Sequence, residues 1–159
     1  CFFSTIHAYT NDQKLLDLPH KDLRRGRAAG INIIPTTTGA AKSVGNVYTN
    51  LKGKIDGTSF RVPVTCGSIT NFIFIAKKNA TVEKVNKAMK KASQTYLKGI
   101  LQYSEEPLVS TDIIGSSYSS IFDAQLTKVN GKLVRVCAWY DNEYGFSTRM
   151  VDMLKLMGK

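Results

Sequence analysis

Strand-like runs follow one another along this chain of 159 residues, and only three amphipathic segments lie between them. The order is strand, long loop, helix, two strands, helix, several strands and a final helix. Parallel strands need a long crossover connection, usually a helix, whereas antiparallel strands can be joined by short turns. The small number of helices therefore predicts an α+β fold: a largely antiparallel mixed sheet with the helices packed on one face.

Local signals indicate where particular elements lie. Asn130-Gly131 separates two strand-like runs and predicts a tight hairpin. Thr38 and Thr81 each precede an amphipathic run and are predicted to be helix N-caps. The other predicted elements are strands at residues 54–64, 65–76, 100–103, 108–109 and 120–124, and a last helix at residues 146–157.

The distribution of apolar residues and cysteines narrows the class of protein. No run approaches the roughly 18 apolar residues that a membrane helix needs, and no signal-peptide pattern is present. Cys1, Cys66 and Cys137 have neither metal-ligand nor disulfide spacing, which predicts free thiols, no metal site and a reducing, cytoplasmic location. Because the first residues already read as a strand, we expect the chain to be a fragment.

The charge balance points to anionic partners. Lys and Arg number 22 against 12 acidic residues, giving a net charge of +10. Nucleic acid, phosphorylated metabolites and an acidic partner domain all remain open. The segment 13–32 lacks a clean period and holds Lys21, Arg24, Arg25 and Arg27. It is predicted to be a long loop, which is either a solvated basic surface or an anion site.

His7 stands at the end of the first predicted strand, just before a turn at Asn11-Asp12. Alternation puts Phe3, Thr5 and His7 on one face of that strand. An imidazole beside a hydroxyl and a carboxylate on a rigid strand end is a candidate catalytic group, although a structural histidine fits the same pattern.

Two further features could bind a phosphate. Thr38-Gly39 opens a helix, where free backbone N–H groups and the helix dipole favour anions, but plain capping explains it equally. Arg61 lies within a strand, where it could bind a phosphate or pair with a carboxylate.

Four segments stand out in order: Thr5-Ile6-His7-Ala8-Tyr9-Thr10-Asn11-Asp12, residues 18–29, residues 33–42 ending Thr36-Thr37-Thr38-Gly39-Ala40-Ala41-Lys42, and Trp139-Tyr140-Asp141-Asn142-Glu143-Tyr144-Gly145-Phe146-Ser147.

These segments closely resemble the C-terminal catalytic domain of phosphorylating glyceraldehyde-3-phosphate dehydrogenase of the bacterial type. The resemblance implies that residues 1–159 form the catalytic domain and that an N-terminal dinucleotide-binding domain is absent from this chain. It also implies an NAD-dependent conversion of glyceraldehyde 3-phosphate and inorganic phosphate to 1,3-bisphosphoglycerate in glycolysis. The implied assembly is a cytoplasmic homotetramer, in which segment 13–32 lines the active site.

The resemblance also implies roles for individual residues. His7 would act as general acid and base and would help to hold the nucleophilic cysteine as a thiolate. Asn142 would hydrogen-bond the nicotinamide carboxamide, and Phe146 would lie beside the nicotinamide. The implied phosphate ligands are Thr10, Asp12 and Arg61 for the substrate and Arg25, Thr38 and Gly39 for inorganic phosphate.

Three departures from the family pattern qualify this interpretation. The nucleophilic cysteine of the family belongs to a Ser-Cys-Thr-Thr-Asn motif, which this sequence does not contain. Phe146 replaces the usual Tyr, and Val64-Thr65-Cys66 replaces the usual Thr-Pro-Asn. Without that thiol and a dinucleotide fold, we expect the fragment to be inactive by itself.

Two alternatives remain on the sequence alone. Erythrose-4-phosphate dehydrogenase shares the same constellation of residues. A non-enzymatic basic module that binds RNA or another polyanion would also suit the charge, but the chain lacks aromatic-basic RNA signatures, so nucleic acid is not favoured as its main partner.

Overall fold

Seven strands form a single sheet in the computed structural model, which describes residues 1–158. Their spatial order is β2-β3-β1-β4-β7-β6-β5. The β1–β3 and β5–β6 pairs are parallel and the other four are antiparallel, which confirms the predicted mixed, largely antiparallel sheet. The strands are β1 (Phe2–Ala8), β2 (Ile34–Thr36), β3 (Asp56–Val62), β4 (Ser68–Ile75), β5 (Leu101–Ser104), β6 (Ser120–Asn130) and β7 (Leu133–Tyr140).

Three α-helices accompany the sheet: α1 (Ala40–Val47), α2 (Val82–Gln94) and α3 (Tyr144–Met157). The Thr81 hydroxyl accepts the Lys84 N–H at 3.3 Å, which confirms the predicted cap of α2. Thr38 was predicted to cap α1, and its hydroxyl does accept the Ala40 N–H at 3.2 Å, but the helix starts one residue later than predicted. The first hydrogen bond of that helix runs from the Ser43 N–H to the Gly39 carbonyl, so Gly39 is the N-cap.

Helices α1 and α2 lie on the same face of the sheet. Side chains that are paired in register across neighbouring strands point to one face. Phe3 is paired with Phe72, and Phe72 with Val136. Phe3 and Phe72 line the space beneath α1, and Val136 packs against the cluster beneath α2. The predicted placement of helices on one face is therefore confirmed for these two.

The hydrophobic core is concentrated beneath α2. Ala92 of that helix packs with Leu101, Phe122 and Ala124 of β5 and β6, and all four side chains are buried. Beneath α1, by contrast, the sheet and the helix border an apolar cavity of about 420 Å³ that is open to solvent. Phe3, Val44, Tyr48, Phe72 and Tyr140 are among the residues that line it.

Helix α3 is held mainly at its start and along one side. The Asp141 carboxylate accepts the N–H groups of Glu143 and Tyr144 at 2.8 and 2.7 Å. Arg149 donates to the Gly99 carbonyl at 3.1 Å. The apolar side chains along this helix are exposed, among them Met150, Val151, Leu154 and Met157.

The connecting segments contain one confirmed and one wrong prediction. Gly131 has φ +60° in the tight turn between β6 and β7, which confirms the hairpin at Asn130-Gly131. Residues 108–109 were predicted to be a strand but are not, because the Val109 N–H donates to the Asp112 carboxylate at 2.7 Å within a turn. Segment 13–32 is an ordered loop, closed by a bridge between Lys14 and Ala28. Among the described residues, no helix has the length and hydropathy needed to cross a membrane.

Candidate active site

The pairing of β1 with β3 places the candidate base beside a candidate phosphate ligand. His7 and Arg61 are 54 positions apart in sequence, yet they are direct partners in the parallel register. The two side chains point to the same face, and Arg61 NH1 lies 3.0 Å from His7 Nδ1. A guanidinium and an imidazole therefore meet at one end of the sheet.

The backbone carbonyl of Ala8 decides how the His7 ring is protonated. His7 Nδ1 lies 2.6 Å from that oxygen and 3.0 Å from Arg61 NH1. Because the guanidinium can only donate and also reaches the Ala8 oxygen, the shorter contact favours a proton on Nδ1. The same oxygen accepts from Arg61 NH1 at 3.2 Å. No other residue among those described binds Nε2, so this nitrogen is left as the free proton acceptor of the neutral ring.

The surroundings of His7 favour its neutral form. Partial burial lowers the pKa of the imidazole, the Ala8 carbonyl raises it, and the positive charge of Arg61 lowers it further. The net result is a pKa below the ordinary value of about 6.5. At neutral pH, His7 is thus a base that can take a proton at Nε2.

Five of the residues predicted from sequence line one cavity of about 500 Å³. They come from the end of β1, from β3 and from the turn after β7, three segments that the sheet brings together. The cavity is polar and contains both positive and negative charges. Its lining residues are His7, Tyr9, Thr10, Asn11, Asp12, Arg61, Thr65, Asn142 and Glu143.

Arg61 enters this cavity with unused hydrogen-bonding capacity. Its NH1 reaches the Thr10 hydroxyl at 3.4 Å in addition to the Ala8 carbonyl. Its Nε is buried and has no partner within residues 1–158. Burial and the charge of Arg25 lower the pKa of Arg61, but a guanidinium stays charged at any physiological pH. A charged donor left without a partner at a cavity suits an anionic ligand.

Arg25 is engaged by carboxylates rather than free. It pairs with Asp12, lies 3.5 Å from Asp22, and donates to the Thr37 carbonyl at 3.2 Å. The hydrogen bond from Arg25, with help from His20, lowers the pKa of Asp12. Arg25 therefore connects the His7 cavity, through Asp12, to the segment that precedes α1.

Thr38 lines a second cavity of about 410 Å³, together with Asp22, Arg24 and Asp56. Gly39 is the N-cap of α1 next to it. Phe146 lines neither cavity and its side chain is 70% exposed in the first turn of α3. Of the predicted site residues, the structure thus brings together His7, Thr10, Asp12, Arg61 and Asn142, places Arg25 at their border, and keeps Thr38, Gly39 and Phe146 apart.

Several residues of this region were not predicted from sequence. The Gln13 side chain is buried and its Oε1 accepts both the N–H and the hydroxyl of Thr10, at 2.8 and 3.2 Å. The Tyr140 ring meets the His7 ring edge-on, with 6.1 Å between centroids, and burial raises the pKa of Tyr140. The turn position of Gln13 is a signal that could have found it, because Gln13 follows Asn11-Asp12 directly.

Asp141 and Ser68 were also missed. Burial raises the pKa of Asp141, but hydrogen bonds from the N–H groups of Tyr144, Glu143 and Gly115 more than offset this and leave the pKa lowered. Ser68 donates to Asn142 Oδ1 at 2.6 Å. The Ser68 contact has no signal in the sequence, because it depends on the pairing of β4 with β7. Asp141, by contrast, binds backbone N–H groups two and three residues ahead, so its position before a helix is a local signal that could have found it.

The described residues contain no group of three or more His, Cys, Asp or Glu side chains that could bind a metal ion. The polar groups at the cavity are instead an imidazole, a guanidinium, a carboxamide, hydroxyls and carboxylates. These groups can move a proton, bind an anion and orient an amide-bearing ligand.

Comparison with known proteins identifies what the chain is similar to. The family described as glyceraldehyde 3-phosphate dehydrogenase, C-terminal domain, matches residues 1–142. Proteins named glyceraldehyde-3-phosphate dehydrogenase from Mycobacterium avium and Mycolicibacterium smegmatis are 56% and 54% identical to the chain over 156 residues. A relative from Streptomyces avermitilis, named glyceraldehyde-3-phosphate dehydrogenase 1, is 52% identical over 155 residues. Each alignment covers 98% of this chain and 46% of the relative, so the chain spans about half the length of these relatives.

Proposed function

The chain belongs to the family of glyceraldehyde 3-phosphate dehydrogenase C-terminal domains, and from this premise we propose that residues 1–159 are the catalytic domain of an NAD-dependent phosphorylating aldehyde dehydrogenase of glycolysis. The proposed reaction converts glyceraldehyde 3-phosphate and inorganic phosphate to 1,3-bisphosphoglycerate. A dinucleotide-binding domain and a nucleophilic cysteine in a Ser-Cys-Thr-Thr-Asn motif belong to the proposed complete enzyme and lie outside these 159 residues.

The observation that carries the proposal is the pairing of His7 with Arg61 inside the cavity that Asn142 also lines. Oxidising a phosphorylated aldehyde requires a base at the reacting carbon and a cation that binds the phosphate a few ångströms away. A parallel strand pair supplies both groups in fixed register. The lowered pKa of His7 keeps the imidazole unprotonated at neutral pH, as a base requires.

In this proposal His7 acts through Nε2. The nitrogen accepts the proton of the cysteine thiol, so that the thiolate can add to the aldehyde carbon. The imidazolium returns this proton to the oxyanion that the addition creates, which gives the thiohemiacetal and a neutral ring. Nε2 then removes the hydroxyl proton as a hydride leaves that carbon. The Nδ1–H bond to the Ala8 carbonyl holds the ring during these transfers and stabilises the imidazolium that forms.

Arg61 and Thr10 are proposed to bind the substrate phosphate, with Asp12 holding Arg25 nearby. The free Nε of Arg61 and the contact from its NH1 to the Thr10 hydroxyl support this role. Arg25, Thr38 and Gly39 are proposed to bind inorganic phosphate. Arg25 can serve a phosphate only if it gives up part of its contact with Asp12 or Asp22, so its carboxylate partners would govern the strength of that site.

NAD is the implied cofactor, and when bound it supplies the acceptor for the hydride. The residues present fit its carboxamide end, because Asn142 is a carboxamide at the cavity whose Oδ1 is already occupied by Ser68. Phe146 is proposed to lie against the nicotinamide ring, with its exposed ring offering apolar contact but no hydroxyl.

We further propose that the complete enzyme is a cytoplasmic homotetramer. Segment 13–32 exposes large apolar side chains, of which Leu23 is 85% exposed. Such a surface suits burial against another subunit. The other exposed apolar residues of this segment are Leu15, Leu16, Leu18 and Ile31.

The basic loop gives little support to a polyanion-binding function. Arg25 pairs with Asp12 and Asp22, and Arg27 lies 3.2 Å from Asp17, so two of the four Lys and Arg side chains at residues 21–27 have carboxylate partners. The names of the relatives favour glyceraldehyde 3-phosphate over erythrose 4-phosphate as the substrate.

The proposal is tested by following NADH absorbance with the complete enzyme, NAD, inorganic phosphate and each aldehyde phosphate in turn. We expect a higher kcat/KM with glyceraldehyde 3-phosphate than with erythrose 4-phosphate, and no NADH from the 159-residue polypeptide alone. A higher kcat/KM with erythrose 4-phosphate would identify that compound, and not glyceraldehyde 3-phosphate, as the substrate. NADH production by the 159-residue polypeptide alone would show that the reaction does not require a cysteine from outside these residues.

A further inference from the structure

Ser68 connects two parts of the candidate site that are distant in sequence. It is the first residue of β4, is only 1% exposed, and is the register partner of Tyr140 on β7. The Ala8 N–H donates to its Oγ at 3.4 Å, and its Oγ lies 2.6 Å from Asn142 Oδ1. A single hydroxyl thus contacts both the strand end that holds His7 and the carboxamide at the opposite wall of the cavity.

The direction of these hydrogen bonds follows from the chemistry of the partners. A backbone N–H can only donate, so the Ser68 oxygen accepts from Ala8. The Tyr140 hydroxyl also hydrogen-bonds Ser68 and can donate to the same oxygen, which leaves the one Ser68 proton for Asn142. A distance of 2.6 Å is normal for an O–H···O hydrogen bond but shorter than the usual 2.7–3.2 Å range of N–H···O bonds. The oxygen of the carboxamide, not its nitrogen, therefore faces Ser68.

We propose that Ser68 is a positioning residue that fixes the orientation of the Asn142 carboxamide, so that its Nδ2 is the group available to a ligand in the cavity. The inference rests on the proposed function and deepens it: the site selects a cofactor that presents a carbonyl oxygen, as the nicotinamide carboxamide does. Ser68 already engages one of the two lone pairs of the Asn142 oxygen, so the unpaired Nδ2 is the stronger determinant of which group the ligand presents.

The same hydroxyl joins this wall of the cavity to the base. The peptide of Ala8 donates to Ser68 through its N–H, and the Ala8 carbonyl accepts from His7 Nδ1 and Arg61 NH1. Ser68 therefore sets the position of the cofactor-facing amide relative to the residue that holds the imidazole. A change at Ser68 should alter how the cofactor is recognised more than how the substrate phosphate is bound.

The test uses the complete enzyme and two NAD analogues that separate the halves of the carboxamide. The 3-acetylpyridine analogue keeps the carbonyl and replaces the amino group by methyl. The thionicotinamide analogue keeps the amino group and replaces the carbonyl oxygen by sulfur, a weaker acceptor. Dissociation constants are measured by calorimetry without aldehyde, for the unmodified enzyme and for Ser68→Ala, Ser68→Thr and Ser104→Ala. Ser104 is a buried serine at the far edge of the sheet, and its hydroxyl accepts the Glu106 N–H.

The unmodified enzyme should bind the acetylpyridine analogue about as tightly as NAD, and the thionicotinamide analogue about tenfold more weakly, because one hydrogen bond of about 1.4 kcal/mol is a factor of ten. Ser68→Ala should weaken NAD binding about tenfold and abolish the preference between the analogues, since the carboxamide can then rotate. Ser68→Thr keeps the hydroxyl and should keep the preference. Ser104→Ala should change neither the dissociation constant of NAD nor the preference between the analogues.

An unchanged preference in Ser68→Ala would overturn the inference and leave the proposed function standing. A Ser68→Thr enzyme that loses the preference as fully as Ser68→Ala would also overturn it, because the hydroxyl would not be the cause. If the unmodified enzyme failed to bind NAD at all, both the inference and the proposed function would fall.

Discussion

Beneath α2, four buried side chains pack against one another, whereas beneath α1 the same face of the sheet borders an open apolar cavity of about 420 Å³. We call the first region (α2, β5 and β6) the packed half and the second (α1, β1, β3 and β4) the site half. Phe122 in the packed half is 1% exposed and stacks on Tyr103. In the site half, Phe72 is only partly buried and faces the cavity.

The difference shows how this domain separates stability from function. Dense packing beneath α2 supplies apolar burial, the main stabilising term in a folded domain. The site half takes its geometry from strand register instead, because β1 and β3 fix His7 opposite Arg61 without a packed helix above them. We therefore expect substitutions in the packed half to change the free energy of unfolding and those in the site half to change the kinetics.

The largest expected effect is on turnover in the site half. In the complete enzyme, His7→Asn should lower kcat by about 10²–10⁴-fold, the usual contribution of a general acid or base, and should leave the free energy of unfolding nearly unchanged. Steady-state kinetics and denaturant unfolding measure the two quantities. An unchanged kcat, together with an unchanged pKa for alkylation of the thiol, would assign His7 to structure.

The packed half should respond in the opposite way. Phe122→Ala should reduce the free energy of unfolding by about 3–5 kcal/mol, because it opens a cavity in a closed core. Phe72→Ala is the matched control, and it should cost less than half as much because its side chain already borders empty space. Equal losses in denaturant unfolding of the two variants would contradict the distinction between the halves.

Arg61→Ala tests whether the site half binds the substrate phosphate. Loss of a charged hydrogen-bonding partner should weaken glyceraldehyde 3-phosphate binding by about ten- to a hundredfold, at 1.4 kcal/mol per factor of ten. Arg61→Lys should restore only part of the affinity for glyceraldehyde 3-phosphate, since an ammonium cannot form a planar two-point contact. If the alanine variant lowered the Tm and kept the KM, Arg61 would be a structural residue.

Adding carbon atoms should have opposite signs in the two halves. Val44→Ile extends a side chain into the cavity beneath α1 and should stabilise the fold by about 0.8 kcal/mol, the value of one buried methylene group. Ala92→Val enlarges a side chain that is buried in the packed cluster and should destabilise it by about 1–3 kcal/mol. Thermal unfolding of both variants measures the two changes in stability. Destabilisation by Val44→Ile would show that the space beneath α1 cannot accommodate another methylene group.

The smallest expected effect is on the pH dependence of stability. Folding lowers the pKa of His7 below about 6.5, the pKa of histidine in the unfolded chain. The contribution of His7 to the free energy of unfolding is therefore fully present when the pH lies above that value. As the pH falls through that value, the unfolded chain takes up the proton first, and the free energy of unfolding should decrease until folded His7 also titrates. The His7→Asn enzyme should lack this component. Identical pH profiles for the two proteins would show that folding leaves the His7 pKa unchanged.

Local chemistry made much of this fold predictable from sequence. Alternation placed Phe3, Thr5 and His7 on one face, Asn130-Gly131 marked the hairpin, and Thr81 marked the start of α2. The strand predicted at residues 108–109 failed because Asp112 takes a backbone N–H that a strand would have used in its ladder.

The geometry of the site was less accessible to sequence reasoning. His7 and Arg61 meet only because β1 pairs with β3 in parallel, across 54 positions, and nothing local to either residue signals that pairing. Ser68 lies in the first position of a strand, with no feature that marks its contact to Asn142. Such contacts are products of sheet topology, whereas the resemblance to a family supplied the residue roles that periodicity could not.

The order of the strands also bears on how the chain folds in time. β6 and β7 are joined by a two-residue turn, so their pairing closes a very short loop. In contrast, β1 must find partners that are distant in sequence: His7 and Arg61 of β3 are 54 positions apart, and Thr5 and Thr70 of β4 are 65 positions apart. Contacts between distant segments form late because the entropy of closing the loop is lost before they stabilise anything. We expect the β6–β7 hairpin and α2 to form the folding nucleus, with β1 docking after the rate-limiting barrier. Substitutions in β1 should then accelerate unfolding, and those in the hairpin should slow folding.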